Sequence, residues 1–162
     1  MPSIILNYST IIATAGSVSI GYYKYQNIRY TAVPTGDLRF SKLQCPPVET
    51  VVNNGTLAPA NVYCATYEDC LYLDIWAPTN SAKKSLPVVL WFHGGRFILE
   101  IKTAITPEAL FALSKDFVFV AYNYYSMTGL SNGPALNHEG GTSNALVLDY
   151  AHAYDWVRKY IY

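Results

Sequence analysis

Two short apolar runs separated by a helix signal place the strongest constraint on the fold of this 162-residue chain. Residues 87–92 and 117–122 are continuous stretches of β-branched and aromatic side chains, a pattern typical of strands covered on both faces. Between them, Thr106-Pro107-Glu108 predicts a helix with its N-cap at Thr106 and its end near Lys115. This order of elements predicts an α/β sheet covered by helices.

The rest of the chain divides into a few further segments. Residues 71–76 alternate towards another strand, and residues 17–33 predict a small N-terminal hairpin. Residues 41–69 have no sustained period and predict a long surface loop. A helix is predicted from a cap near Asn144. Its apolar face is expected to consist of Leu146, Tyr150, Ala153, Val157 and Tyr160.

Composition excludes several classes of partner. Eleven Lys and Arg residues balance eleven Asp and Glu residues, and no basic cluster is dense enough to follow a phosphate backbone. Nucleic acid is therefore not expected as a partner. No apolar run approaches the roughly 20 residues that span a bilayer. His138-Glu139 lacks the second histidine of a zinc-protease motif, so we assign no metal and no cofactor.

The cysteines and the N-terminus bear on the compartment. We expect Cys64 and Cys70 to form a disulfide because they are close in sequence within a polar stretch; three reduced thiols are the alternative. Asn54-Gly55-Thr56 fits the N-glycosylation pattern, with Asn54 as the acceptor. The first residues lack a basic region and predict no convincing signal peptide.

Five stretches of the sequence carry a family resemblance: residues 27–30, 34–40, 68–76, 86–97 and 155–161. In this order along the chain they resemble the type-B carboxylesterase family, which includes cholinesterases and secreted fungal lipases. The resemblance extends from about Gly16 to the end, but over only the first third of that family's usual length. It implies an incomplete α/β-hydrolase fold: a small N-terminal β-hairpin, then a mixed sheet with flanking helices. It also implies hydrolysis of carboxylic esters by a serine nucleophile, and secretion.

The glycine-rich turn after the strand at 87–92 is the candidate site. The family pattern His-Gly-Gly-Gly-Phe supplies backbone N–H groups to the oxyanion of the tetrahedral intermediate. Here Gly94, Gly95 and Arg96 take those places, so the third glycine is replaced. The alternative is that the glycines only shape a turn. We interpret His93 as a histidine that packs in this turn and not as a base.

We assign no catalytic serine, acid or histidine within the chain. The family pattern Gly-x-Ser-x-Gly requires a strand-to-helix turn. Residues 141–145 approach it, but no strand precedes them, so Ser143 is not assigned. The expected unit is a partial type-B carboxylesterase domain over residues 1–162, lacking the nucleophile strand and everything C-terminal to it. It is expected to be inactive alone; the alternative is a non-catalytic interaction protein.

Two ion pairs of the family can be compared with this sequence. Tyr125 replaces an arginine that the resemblance pairs with Asp149, so Asp149 is expected to be solvated or protonated. Arg39 and Glu68 occupy positions that resemble a paired salt bridge.

In the fold that the family implies, the strand at 87–92 lies beside the absent nucleophile strand. Its bare edge predicts self-association.

Overall fold

The computed structural model of the chain describes residues 1–39, 41–79, 85–95, 101–125, 141–142 and 145–161. The elements in chain order are β1 (Ser3–Ile5), β2 (Thr10–Ile12), β3 (Ala15–Ser17), β4 (Tyr22–Arg29), a 3-10 turn (Gly36–Leu38), β5 (Tyr72–Pro78), β6 (Val88–Phe92), α1 (Glu108–Leu113), β7 (Val118–Tyr122) and α2 (Ala145–Tyr160).

The main sheet has five strands in the order β3-β4-β5-β7-β6. β6 pairs with β7 in parallel, and every other neighbouring pair is antiparallel. The three strands expected around residues 71–76, 87–92 and 117–122 are therefore confirmed as β5, β6 and β7. The expectation that both apolar runs are covered on two faces holds for β7 and is wrong for β6. Within the described residues β6 lies at an edge, and Val89 is 39% exposed.

Helix α1 covers one face of the sheet. Phe111 is its buried residue, and it belongs to a cluster with Trp76, Phe119 and Ala121. The helix begins after Pro107, which takes the N-cap place with no side-chain hydrogen bond, so the predicted cap at Thr106 is wrong. It ends at Leu113, slightly before the expected end near Lys115, because Ser114 has an extended backbone.

Helix α2 covers the opposite face. Leu146, Ala153 and Val157 of the expected apolar face are buried in the main cluster. Tyr150 is 44% exposed because it lies at the open edge, where its ring contacts Phe92. Trp156, which was not assigned to that face, is buried and donates its indole N–H to the Tyr8 hydroxyl at 2.9 Å.

The N-terminal segment contributes more than the small hairpin expected over residues 17–33. β3 and β4 form that hairpin, but β4 also pairs with β5 and so belongs to the main sheet. β1 and β2 form a second hairpin that was not expected. Gly16 has φ +101°, and an added Cβ would lie 2.2 Å from the Tyr22 carbonyl oxygen, so a side chain does not fit there. The segment 41–69 contains no helix or named strand among its described residues, as expected.

A buried ion pair lies at the centre of the sheet. Asp74 on β5 and Lys102 are both fully buried, and Lys102 Nζ lies 2.6 Å from Asp74 Oδ1. The Asn27 backbone N–H donates to the same oxygen at 2.9 Å, and Lys24 Nζ lies 3.7 Å from Oδ2. Burial lowers the pKa of Lys102, and the neighbouring Asp74 carboxylate opposes this shift. The pair fixes the chain after the glycine turn to the middle strand.

Lys102→Met should be strongly destabilising because it leaves the Asp74 carboxylate buried without its near cation. The free energy of unfolding in urea should fall by about 3 to 5 kcal/mol. Asp74→Asn/Lys102→Met should recover most of this loss, because the buried group is then neutral. A double variant as unstable as Lys102→Met would contradict the assignment of the loss to the unpaired carboxylate.

Candidate functional site

The candidate site lies where β6 ends. His93, Gly94 and Gly95 follow its last residue, and Gly95 has φ +92°, a conformation that favours glycine. His93 is 1% exposed, and its Nδ1 lies 3.2 Å from the Gly94 carbonyl oxygen. This places His93 in the packing of the turn. Arg96, the third residue assigned to the site, lies outside the described residues.

Tyr124 holds the turn in place. Its hydroxyl donates to the His93 carbonyl at 2.7 Å and lies 3.0 Å from the Gly94 carbonyl. Its ring stacks on His93 at 4.1 Å between centroids and on Phe92 at 4.4 Å. Sequence reasoning did not assign Tyr124 to the site. Its distance of about 30 residues along the chain left no local signal.

The positions of both carbonyl oxygens beside the single Tyr124 hydroxyl orient the amide groups of the turn. In a trans peptide unit the C=O and the following N–H point in opposite directions. Because the carbonyls of His93 and Gly94 both point at Tyr124, the N–H groups of Gly94 and Gly95 point to the other side. Gly94 is exposed and Gly95 is partly buried. Two adjacent N–H donors that point to the same side of a turn can hold an anionic oxygen.

Catalytic side chains are not assembled beside this turn within the described residues. His152 lies on α2, where its ring hydrogen-bonds to the Tyr30 backbone; burial lowers its pKa. No group of three His, Cys, Asp or Glu residues in the described ranges could hold a metal ion. Ser143, His138 and Glu139 lie outside those ranges.

The letter pattern Gly-x-Ser-x-Gly does occur in the chain, at residues 129–133 with Ser131 in the middle. Treating residues 141–145 as the nearest approach was therefore wrong as a reading of the sequence. These five residues also lie outside the described part of the chain. The preceding described strand, β7, ends at Tyr122, so Ser131 does not directly follow it as a nucleophile elbow requires.

Asp149 is buried at the start of α2, close to the candidate site. It is 2% exposed, and its Oδ2 accepts the Tyr125 backbone N–H at 2.7 Å. Burial raises the pKa of Asp149 to about 7, and the hydrogen bond from Tyr125 opposes the shift. Of the two expected states, solvation is therefore wrong, and a carboxyl that is protonated up to near neutral pH agrees with the structure.

The other assigned residues are remote from the turn or at the surface. Arg39 Nη1 lies 2.7 Å from Glu68 Oε1, with both side chains about half exposed. Cys64 and Cys70 are joined by a disulfide, and Cys45 is a free exposed cysteine. Asn54 is exposed, and its Oδ1 accepts the Thr56 hydroxyl at 2.6 Å. None of the helices in the described ranges is long and apolar enough to cross a membrane.

Comparison with known proteins identifies the family. A family model described as the carboxylesterase family matches residues 10–162. The chain belongs to this family. Fumonisin B1 esterase of Sphingopyxis macrogoltabida is 31% identical over 153 residues, which cover 85% of this chain and 28% of that relative. Para-nitrobenzyl esterase of Bacillus subtilis is 30% identical over 161 residues, which cover 90% of this chain and 32% of that relative.

Solved structures of carboxylesterases share the fold. The crystal structure of Aspergillus niger EstA superposes with a TM-score of 0.80 at 26% identity, covering 99% of this chain and 32% of EstA. The structure of a thermophilic para-nitrobenzyl esterase superposes with a TM-score of 0.75 at 28% identity, covering 98% of this chain and 35% of that esterase. The mixed sheet with its helices is thus a partial α/β-hydrolase fold, as expected. The chain spans about a third of the length of these carboxylesterases.

Asp149→Asn should remove a pH dependence of stability. The carboxyl has a pKa of about 7 in the folded chain and about 3.9 when unfolded, so between these values the folded state binds more protons. Its contribution to the free energy of unfolding is therefore full below about pH 4 and falls by a few kcal/mol, in order of magnitude, as the pH rises to about 7.

Asparagine keeps an acceptor for the Tyr125 N–H and stays neutral. Relative to the unsubstituted chain, Asp149→Asn should gain stability at pH 8 compared with pH 5, measured by urea unfolding. Asp37→Asn, the same change at an exposed aspartate in the 3-10 turn, is the matched control and should leave the difference between the two pH values unchanged. Parallel pH profiles for the unsubstituted chain and Asp149→Asn would contradict the assignment.

Proposed function

We propose that this chain supplies the oxyanion-stabilising part of a serine carboxylic-ester hydrolase and is inactive alone. The observation that supports this most directly is the pair of Gly94 and Gly95 N–H groups turned away from Tyr124. Such donors act when they point at the oxygen on which charge develops. Membership of the carboxylesterase family and the names of the relatives, which are esterases, supply the substrate class.

Inactivity alone follows from the placement of the remaining groups. Acyl transfer of this kind needs a serine, a base that receives its proton and an acid that orients the base. The Asp149 carboxyl accepts a hydrogen bond from the Tyr125 backbone N–H, and the His152 ring forms a hydrogen bond with the Tyr30 backbone. Asp155 lies near His152, but these two residues line a pocket with Asn7, Tyr8 and Cys45 and not with the residues of the glycine turn. In this proposal the unit over residues 1–162 is the first part of the hydrolase domain and does not itself carry the nucleophile strand.

The purified chain should not turn over a chromogenic short-chain carboxylic ester above the buffer rate. The matched control is Ser131→Ala, because Ser131 lies in the pattern Gly-x-Ser-x-Gly. Both proteins should give the same background rate and take up no serine-directed phosphonate. Turnover that the phosphonate abolishes, and that Ser131→Ala lacks, would overturn the proposed inactivity.

The turn itself can be tested in an active relative. Residues 87–97 would replace the matching strand and turn of the Bacillus subtilis para-nitrobenzyl esterase. The graft should keep a measurable kcat, because Arg96 still carries a backbone N–H. Gly95→Ala in the graft should lower kcat towards the loss of about 10² to 10³ that accompanies loss of one oxyanion donor, since alanine is strained at φ +92°.

Arg96→Gly in the graft restores the family pattern and is the control, with the highest expected kcat. KM should change less than kcat in the Gly95→Ala graft, because the interaction belongs to the transition state. Equal kcat values for the graft and its Gly95→Ala variant would remove the proposed role of the turn.

A second candidate function is non-catalytic binding of a polypeptide. The observation that favours it is the outer edge of β6, which pairs with no other strand in the part of the chain that the structure describes. The two functions depend on different residues. Binding depends on the outer groups of β6, and ester hydrolysis depends on Gly94 and Gly95. A change at Gly95 should therefore affect hydrolysis in a completed domain and leave binding at β6 unchanged.

A further inference from the structure

The outer edge of β6 carries a regular set of backbone groups that pair with no strand of the described residues. The Val118 N–H donates to the Pro87 carbonyl at 2.9 Å, which fixes the phase of the parallel ladder. Along a parallel strand, every second residue directs its backbone N–H and C=O groups to the neighbouring strand. The backbone groups of Val89 and Trp91 therefore face β7. The N–H and C=O groups of Val88, Leu90 and Phe92 therefore point away from the sheet. No other strand in the described ranges pairs with them.

The side chains at this edge are apolar and partly exposed. Those of Val88, Leu90 and Phe92 lie on the α2 side of the sheet, where they pack against the main cluster. Two shallow grooves run between β6 and α2. One is lined by Pro87, Val88, Leu90, Tyr154, Val157 and Arg158. The other is lined by Phe92, Leu146, Val147 and Tyr150.

The sequence of β6 itself has neither the charges nor the proline that often protect an edge strand from pairing with another chain. β6 reads Val-Val-Leu-Trp-Phe, with no charged residue and no proline inside the strand. The chain has equal numbers of acidic and basic residues, so two copies do not repel each other through net charge. Val147 and Tyr154, on the α2 side of the grooves, are 52% and 46% exposed.

We propose that β6 is a self-association surface at which a second copy of this chain pairs antiparallel, about a twofold axis through Leu90. An axis at Leu90 places Leu90 opposite the partner's Leu90, and Val88 opposite the partner's Phe92. In an antiparallel ladder, directly opposite residues of a hydrogen-bonded pair exchange both N–H···O bonds. This register satisfies every outward N–H and C=O of Val88, Leu90 and Phe92 in both copies.

The same axis also matches the grooves. Because Val88 meets the partner's Phe92, the groove at the start of β6 in one copy lies beside the groove at the end of β6 in the other. The contact is isologous and therefore closes as a dimer instead of growing into a filament. This dimer rests on the proposed binding role of the edge and not on ester hydrolysis.

A charge exchange at the axis tests the register. At concentrations on the order of tens of micromolar the unsubstituted chain should be a dimer by light scattering. Leu90→Lys and Leu90→Glu should each be monomeric, because like charges then lie directly opposite each other. A mixture of the two should recover the dimer. Leu113→Lys, on the exposed side of α1, is the control and should remain dimeric.

Cross-linking keeps the test valid if the charged variants fail to fold. In a Cys45→Ser background, Leu90→Cys should form a covalent dimer under mild oxidation, because Cα atoms of a hydrogen-bonded pair lie about 5.5 Å apart, within disulfide range. Val89→Cys should not form a covalent dimer. Val89 is equally near the edge, but it lies off the axis and on the other face of the sheet.

Three outcomes overturn the proposal. The first is a monodisperse monomer, including one that binds a different extended peptide at β6. The second is aggregates that keep growing with concentration, which indicate an open contact. The third is cross-linking at Val89→Cys in place of Leu90→Cys, which indicates another register.

Discussion

The parallel pairing of β6 with β7 determines what the candidate site contains. The two strands are in register from Val88 opposite Val118 to Phe92 opposite Tyr122, so they end at the same level. The residues that follow each strand therefore meet. His93, Gly94 and Gly95 continue from one, and residues 123–125 continue from the other. A change of register by one residue would bring different side chains to the turn.

Each of the three residues after β7 forms hydrogen bonds to different segments of the chain. Asn123 accepts the Lys102 backbone N–H at 2.7 Å and donates to the carbonyls of Val62 and Cys70. Tyr124 binds the carbonyls of the glycine turn. Tyr125 donates its backbone N–H to Asp149 and so ties the start of α2 to the same place. Buried polar groups are costly unless they are bonded, and here their bonds connect four separate segments.

The sequence predicted those features that depend on local pattern. β5, β6, β7 and α2 have strong apolar signals, and the glycines after β6 mark a tight turn. The N-cap of α1 was misplaced because Pro107 itself takes that position, and the N-terminal hairpin β1–β2 was missed because its strands have three residues each. Tyr124, Lys102 and Asn123 were missed for another reason. Their partners are distant in sequence, and only the fold brings them together. Assigning Tyr150 to the covered face of α2 failed because helical spacing does not reveal that β6 is the last strand of the sheet among the described residues.

The open edge of β6 connects the two proposals through one set of hydrogen-bonding groups. In the fold that the family resemblance implies, the nucleophile strand lies beside the strand at 87–92, which is β6. The proposed dimer uses the outward groups of Val88, Leu90 and Phe92, and an added strand on that side would need the same groups. Each backbone N–H can serve one strand only, so completion of the domain and pairing of two copies exclude each other. In the proposed dimer the glycine turn would therefore have no added strand beside it. A strand supplied to that edge would compete with the second copy, and the balance would depend on the concentration of this chain.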